Sequence, residues 1–305
     1  DCKPYNTIGV KKTNSEGDYI DYSCTWASST LRTWLNDTEK GFISEAFTQD
    51  EQSAIKTTEV INDNNPYFNT DGGENTTDKI YLLSANEVSE NSQYGFPYGQ
   101  LINYEDKSGR ISIATDYARV NGVEREMDNA CVWWLRTPGD YGNYAASVLG
   151  DGNLYLRGEA VSREIFAVRP VLHINLNSSC VTDAGKVCSD GSVINNIDEG
   201  YINDGYIAPV TDDGITTWDC VYFGTYKQNA KYERKPIEWR VLSVEGDEAL
   251  LLADKVLDCK LYNIGKTTLD NEEEEYTDYS CTWETCSLRK WLNDTTDSES
   301  FIRTA

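Results

Sequence analysis

The sequence predicts an α+β fold of short helices and antiparallel strands, and three observations carry that prediction. Apolar residues recur at helical spacing in short blocks near the N-terminus, while apolar runs bounded by turn residues fill much of the rest. Two pairs of such runs are joined at hairpin distance, one by Glu245, Gly246 and Asp247 and one around Asp151 and Gly152, a pair suited to positive φ. In chain order, Leu31, Trp34 and Leu35 fall at i, i+3 and i+4 behind Ser28, Ser29 and Thr30, giving a short helix capped by one of those hydroxyls. Phe42, Ile43, Ala46 and Phe47 form a second stripe. Asp50, Glu51, Ala54 and Ile55 form a third, with acids at its start as the helix dipole prefers. Strands are expected at Lys79 to Ser84, Ala145 to Leu149, Leu154 to Leu156, Phe166 to Leu176, Tyr222 to Tyr226, Ile237 to Val244 and Glu248 to Ala253. Trp133 and Trp134, adjacent in an extended segment, point to opposite faces: either one is core and the other outward, or loops bury both.

The chain repeats itself. Shifted by 257 positions, residues 1 to 38 match 258 to 295 at 21 of 38 positions. Asp21 to Trp26 align with Asp278 to Trp283, and Trp34 to Thr38 with Trp291 to Thr295. Three regions follow: 1–178, a first copy without its leading strands; 179–215, a linker rich in Asn, Asp, Gly and Ser; and 216–305, the start of a second copy. The expectation is a fragment of a longer tandem protein. A circularly permuted completion is also expected, in which residues 218 to 257 supply the first copy's missing strands and 258 to 305 are displaced outward.

Composition excludes several classes. The 305 residues carry 51 acids and 27 bases, a net charge of -24, so nucleic acid is a poor partner. Apolar residues are 39% of the chain, enough for a core, yet no run approaches the roughly 18 residues of a membrane-spanning helix. Nine cysteines form no CxxC pair and His173 is the only histidine, which leaves no familiar zinc, iron or copper site. Cys180 and Cys188 are expected to bridge. Cys2 and Cys24, repeated as Cys259 and Cys281, are expected to lie close, either bridged or as buried thiols, with Cys286 outside that pattern.

Catalytic motifs are missing. GxSxG, HExxH and GxGxxG do not occur, and Gly265, Lys266 and Thr267 lack the earlier glycine and basic setting of a phosphate loop. His173 has no motif around it and reads as structural or solvent-facing. Arg136 and Arg169 can each fork onto a carboxylate, and so acidic a chain offers internal partners first.

Seven ordered motifs carry a resemblance: PIEWRVL, ALLLADKVLDCKLYN, TW with SLRKWLN, DKIYLLS, TDYA, WWLRTPG and VRPVL. Across residues 1 to about 176 and about 218 to 305 the chain resembles a family of uncharacterised modules in secreted and cell-surface proteins of Gram-positive gut-type bacteria. That family is similar to the formylglycine-generating-enzyme branch of the C-type-lectin-like fold, whose last strand carries an arginine comparable to Arg169. The resemblance implies a compact mixed fold with irregular loops as a binding face. The branch's oxidase activity does not carry over, because it needs a copper-holding cysteine pair and Cys131 is the only cysteine between residues 48 and 178.

The expected function is therefore a non-enzymatic, extracellular binding module for a glycan or protein ligand, without cofactor or metal. Tandem copies raise avidity. A carboxylate-based glycan hydrolase and a structural spacer are the alternatives. The expected ligand face comprises Trp134, Arg136, Asp140, Tyr141, Tyr144, Asp151 and Asn153. Calcium between Asp140 and Asp151 would have only two of the six to eight oxygens it needs.

Overall fold

The computed structural model describes residues 4–15, 17–89, 94–96, 108–123, 130–190, 192–194, 205–257, 266–269 and 275–278. The first elements are β1 (Val10–Asn14), β2 (Gly17–Asp21), α1 (Thr30–Asn36), α2 (Phe42–Ala46), α3 (Gln49–Ala54), β3 (Ile55–Lys56), β4 (Thr58–Val60), β5 (Thr76–Asp78), β6 (Ile80–Tyr81), α4 (Ala85–Ser89) and α5 (Asp116–Val120). There follow β7 (Trp133–Pro138), β8 (Tyr144–Val148), β9 (Leu154–Ala160), β10 (Val171–Asn175), β11 (Thr182–Cys188), β12 (Val193–Ile194) and β13 (Val210–Asp212). The last are β14 (Ile215–Lys227), β15 (Arg234–Glu245), β16 (Glu248–Ala253), β17 (Lys266–Leu269) and β18 (Glu275–Asp278). The architecture is mixed α+β, mostly antiparallel.

Local chemistry explains the short helices. The Ser29 hydroxyl accepts the Arg32 amide at 3.2 Å and starts α1, whose Leu31 and Leu35 are buried. Thr48 and Glu51 form a reciprocal cap on α3, so each satisfies an amide the helix cannot.

The main sheet runs β12-β11-β14-β15-β16-β10-β3, with β13 also on β14 and β6 also on β10. Its centre is built from the start of the second copy. β16 pairs antiparallel with β10, Leu251 opposite Leu172 and Ala249 opposite Ile174, so the strand pairing expected of a completed first-copy sheet is present. The same junction continues in the core: the Phe47 ring lies 5.1 Å from Phe223 and 6.2 Å from Trp239. Gly224, at φ +67, is required there, since a β-carbon would sit 2.5 Å from the Phe47 ring. The β17–β18 hairpin falls at the second-copy position of β1–β2 with its pairing shifted by one residue: Lys266 is opposite Asp278, whereas Val10, the counterpart of Thr267, is opposite Asp21. The rest of 258–305, including the expected outward displacement, lies outside the described residues, as do Cys2, Cys259, Cys281 and Cys286.

Three expectations are corrected. The 179–215 segment is not simply a linker: β11 pairs with β14 from Thr182 opposite Tyr222 to Cys188 opposite Thr217. Its polar residues are tolerated because β11 lies toward the sheet's outer side, with Lys186 pairing Asp219. The Cys180–Cys188 bridge is absent and both thiols are free. Cys188 ends an extended strand about 20 Å long that begins just after Cys180, far beyond the Cα reach of a disulfide. Lys79 to Ser84 forms a ladder only at β6. Beyond it, the Leu83 carbonyl accepts the Arg136 amide at 3.0 Å, tying the segment to β7 instead.

A three-stranded sheet, β7-β8-β9, packs beside the main one. Trp133 and Trp134 point to its two faces and both are fully buried. Trp133 lies under the Arg169 guanidinium at 5.1 Å, while Trp134 meets Phe166 at 4.6 Å and Tyr5 at 5.9 Å.

Candidate ligand-binding face

The structure divides the seven residues expected to form one face into three places. Trp134 and Arg136 are interior, because both faces of β7 are covered. Arg136 forks onto Glu87, with Nη2 donating to Oε1 at 3.0 Å and Nη1 to Oε2, and Nη1 also donates to the Leu82 carbonyl at 2.8 Å. Burial alone would raise Glu87, but the adjacent Arg136 outweighs it and holds the carboxyl below its usual range. Asp151 and Asn153 form the β8–β9 turn, where Asp151 accepts the Asn153 amide at 2.9 Å and its side-chain nitrogen at 2.6 Å. Asp140, Tyr141 and Tyr144 lie at the other end of β8. The strand itself spans about 13 Å, so the two groups cannot meet on one small ligand, and Asp140 and Asp151 cannot share a cation. Among the described residues no group of three His, Cys, Asp or Glu is placed to hold a metal.

At the Asp140 end a second loop joins in. Asn65, buried at its base, donates through Nδ2 to the carbonyls of Pro138 at 2.7 Å and Leu156 at 2.8 Å. Its Oδ1 accepts the amides of Tyr67 and Phe68 at 2.9 and 3.0 Å. One side chain thus fixes the 65–70 loop against the ends of β7 and β9. Thr70 Oγ1 adds a bond to the Asp140 carbonyl at 3.1 Å, and the Asp140 amide donates to Arg157 O at 2.8 Å. Gly139 and Gly158 allow this close approach, since a β-carbon at either would fall 2.4–2.5 Å from a carbonyl oxygen.

The surface so built is aromatic with a charged centre. Tyr67 and Tyr141 are 63% and 64% exposed. Tyr67 meets Phe68 at 4.8 Å, and the Arg157 guanidinium stands over Phe68 at 5.9 Å. Arg157 Nε is 3.8 Å from Asp140 Oδ2, and Tyr141 meets Tyr144 at 6.0 Å. Asp140 Oδ1 is buried and has no hydrogen-bond partner, an uncompensated state for a carboxylate oxygen. Exposed rings for stacking beside an exposed guanidinium can hold a polyhydroxylated ligand by its apolar face and its hydroxyls together.

Comparison with known proteins comes down to one match. A family model described as a domain of unknown function, DUF6273, covers residues 7–176. The chain belongs to this family. No curated protein and no solved structure matches it. Every residue of the aromatic face lies within the DUF6273 span, whereas β14, β15 and β16 lie outside it.

Tyr67, Phe68, Asn65 and Arg157 escaped the sequence reading. The signal was the run Asn62 to Gly73, where Asn, Asp, Pro and Gly surround an adjacent Tyr and Phe. Aromatic residues inside such a turn-rich stretch have no periodic face to bury. Away from this face, His173 is half-buried in β10 with Nε2 3.0 Å from the Tyr81 hydroxyl, and burial pushes its pKa down.

Proposed function

We propose that this DUF6273 protein is a non-enzymatic, extracellular binding module whose ligand is a glycan held on the Tyr67, Asp140, Tyr141 and Arg157 face. The observation that carries the reading is the pair of exposed tyrosines on hydrogen-bonded loops beside the exposed Arg157 guanidinium. Two features support a C-type-lectin-like assignment for the fold: irregular loops pinned over a short antiparallel sheet, and closure of the main sheet by the last strand of the first copy. Tandem copies would present this face repeatedly, as suits clustered surface glycans. A hydrolase would need a second carboxylate facing Asp140 across a glycosidic bond, and Asp151 is at the far end of β8. A glycan array probed with the whole chain tests the reading. Binding that Tyr67→Ala and Tyr141→Ala each weaken about tenfold supports it, since one stacked ring contributes about 0.5–1.5 kcal/mol. Binding unchanged in both variants refutes it, as does turnover of a bound glycan.

A further inference from the structure

A second concave site lies on the β14–β15 hairpin and the end of β16. A bulge between Tyr222 and Thr225 shifts the β14–β15 register, and Gln228 Nε2 closes the far side by donating to the carbonyls of Lys235 at 3.1 Å and Pro236 at 2.6 Å. Bulges bend a strand and re-aim its side chains. The result is a cavity of about 290 Å³ lined by Tyr222, Gln228, Lys235, Glu238, Lys255 and Leu257. That volume is at the small end of ligand sites. Every lining residue comes from 222–257, the segment carrying the PIEWRVL and ADKVL motifs, so the cavity does not depend on which copy the sheet completes.

Its charge is unusual for this chain. Lys11, Lys12, Lys56, Lys186 and Lys227 are each engaged by a carboxylate. Lys235 and Lys255 make no ion pair among the described residues, and both line this one cavity. Asp254 behind it is taken by Arg240 at 2.7 Å, leaving Glu238 as the only acid in the lining. Burial and the nearby Asp254 outweigh the pull of Lys255 and Arg240 and push the Glu238 carboxyl above its usual range, so it opposes an anion less than an ordinary carboxylate would. Tyr222, 38% exposed and directly opposite Glu238, offers a ring face.

We propose that this cavity binds a carboxylate-bearing ligand of monosaccharide size, its carboxylate between the Lys235 and Lys255 ammonium groups and its body against Tyr222. The source is either an acidic sugar or a free small organic acid; both share the carboxylate. The proposal stands independently of the aromatic face.

Calorimetric titration of the whole chain at about 50 mM salt, where surface charges are incompletely screened, tests it with D-galacturonate, D-galactose and L-lactate. The expected result is binding of galacturonate, none of galactose, and at least a tenfold loss in Lys235→Gln/Lys255→Gln. Lys231→Gln, an exposed lysine outside the cavity, should bind galacturonate as the parent does. Lactate binding as tightly as galacturonate assigns the site to free organic acids and keeps the carboxylate clamp. Three results overturn the proposal: heat from neither acid, galactose binding equal to galacturonate, or an equal loss in Lys231→Gln.

Discussion

Replacing Glu87 by Ala tests the core electrostatics most severely, because it strips the carboxylate from a buried arginine. The Arg136 side chain is 5% exposed and that of Glu87 23%, and the guanidinium keeps only carbonyl partners at Leu82 and Ile61 once the acid is gone. Breaking a buried pair from one side typically destabilises by about 3–5 kcal/mol. Partial exposure of Glu87 and the surviving carbonyl bonds place the expectation near the lower end, about 3 kcal/mol. Part of the loss comes from the Ser84 amide, which donates to Glu87 Oε2 at 2.7 Å. Urea denaturation at pH 7 measures the change. The pH dependence follows in sign: Arg136 holds the folded-state pKa of Glu87 below its unfolded value of about 4.3. The stabilisation is therefore complete above the unfolded pKa and is lost as pH falls through the folded one. Glu87→Leu/Arg136→Met, which removes both charges, should recover most of the loss. A Glu87→Ala destabilisation under about 1 kcal/mol, or a double variant as unstable as the single, would refute the reasoning.

Gly158→Ala should lower stability by about 1–3 kcal/mol, since φ is +77 and the new methyl would sit 2.5 Å from the Ala145 carbonyl; thermal melting reads it. Tyr67→Ala and Tyr141→Ala should each leave urea stability within about 0.5 kcal/mol of the parent while weakening glycan binding about tenfold. Thiol titration of the urea-unfolded, unreduced chain should find Cys180 and Cys188 reactive, because the two thiols are unbridged; a blocked pair released only by reductant would restore the disulfide. Arg169→Met should destabilise by less than Glu87→Ala does. The buried Arg169 Nη1 has no partner, and burial, aided by Arg240, already pushes its pKa down to about 9.

Local pattern accounts for what the sequence made legible. Glu248 to Ala253 forms a strand over those very residues, and the turn at Asp151 and Gly152 appears as expected, because continuous apolar runs and positive-φ dipeptides have few alternatives. The internal repeat also led to the β10–β16 pairing, which no local signal specifies. β11 was missed because Thr182, Asp183 and Lys186 read as a solvated loop, and only the offered edge of β14 makes them a strand. Arg136 was placed on the surface because its partner, Glu87, lies 49 residues away. The binding face was half legible: Asp140, Tyr141 and Tyr144 follow the WWLRTPG motif, but the Tyr67 loop joins them through Asn65 and Thr70, whose bonds reach across 70 to 91 residues.

The central claim, that the Tyr67 and Tyr141 face takes the ligand, is tested most directly by fluorine NMR of the chain labelled with 3-fluorotyrosine and titrated with an array-positive oligosaccharide. The account predicts that the Tyr67 and Tyr141 resonances shift in proportion to occupancy while the buried Tyr81, Tyr117 and Tyr226 stay in place. Shifts confined to Tyr222, or no tyrosine shift at saturating oligosaccharide, would contradict it.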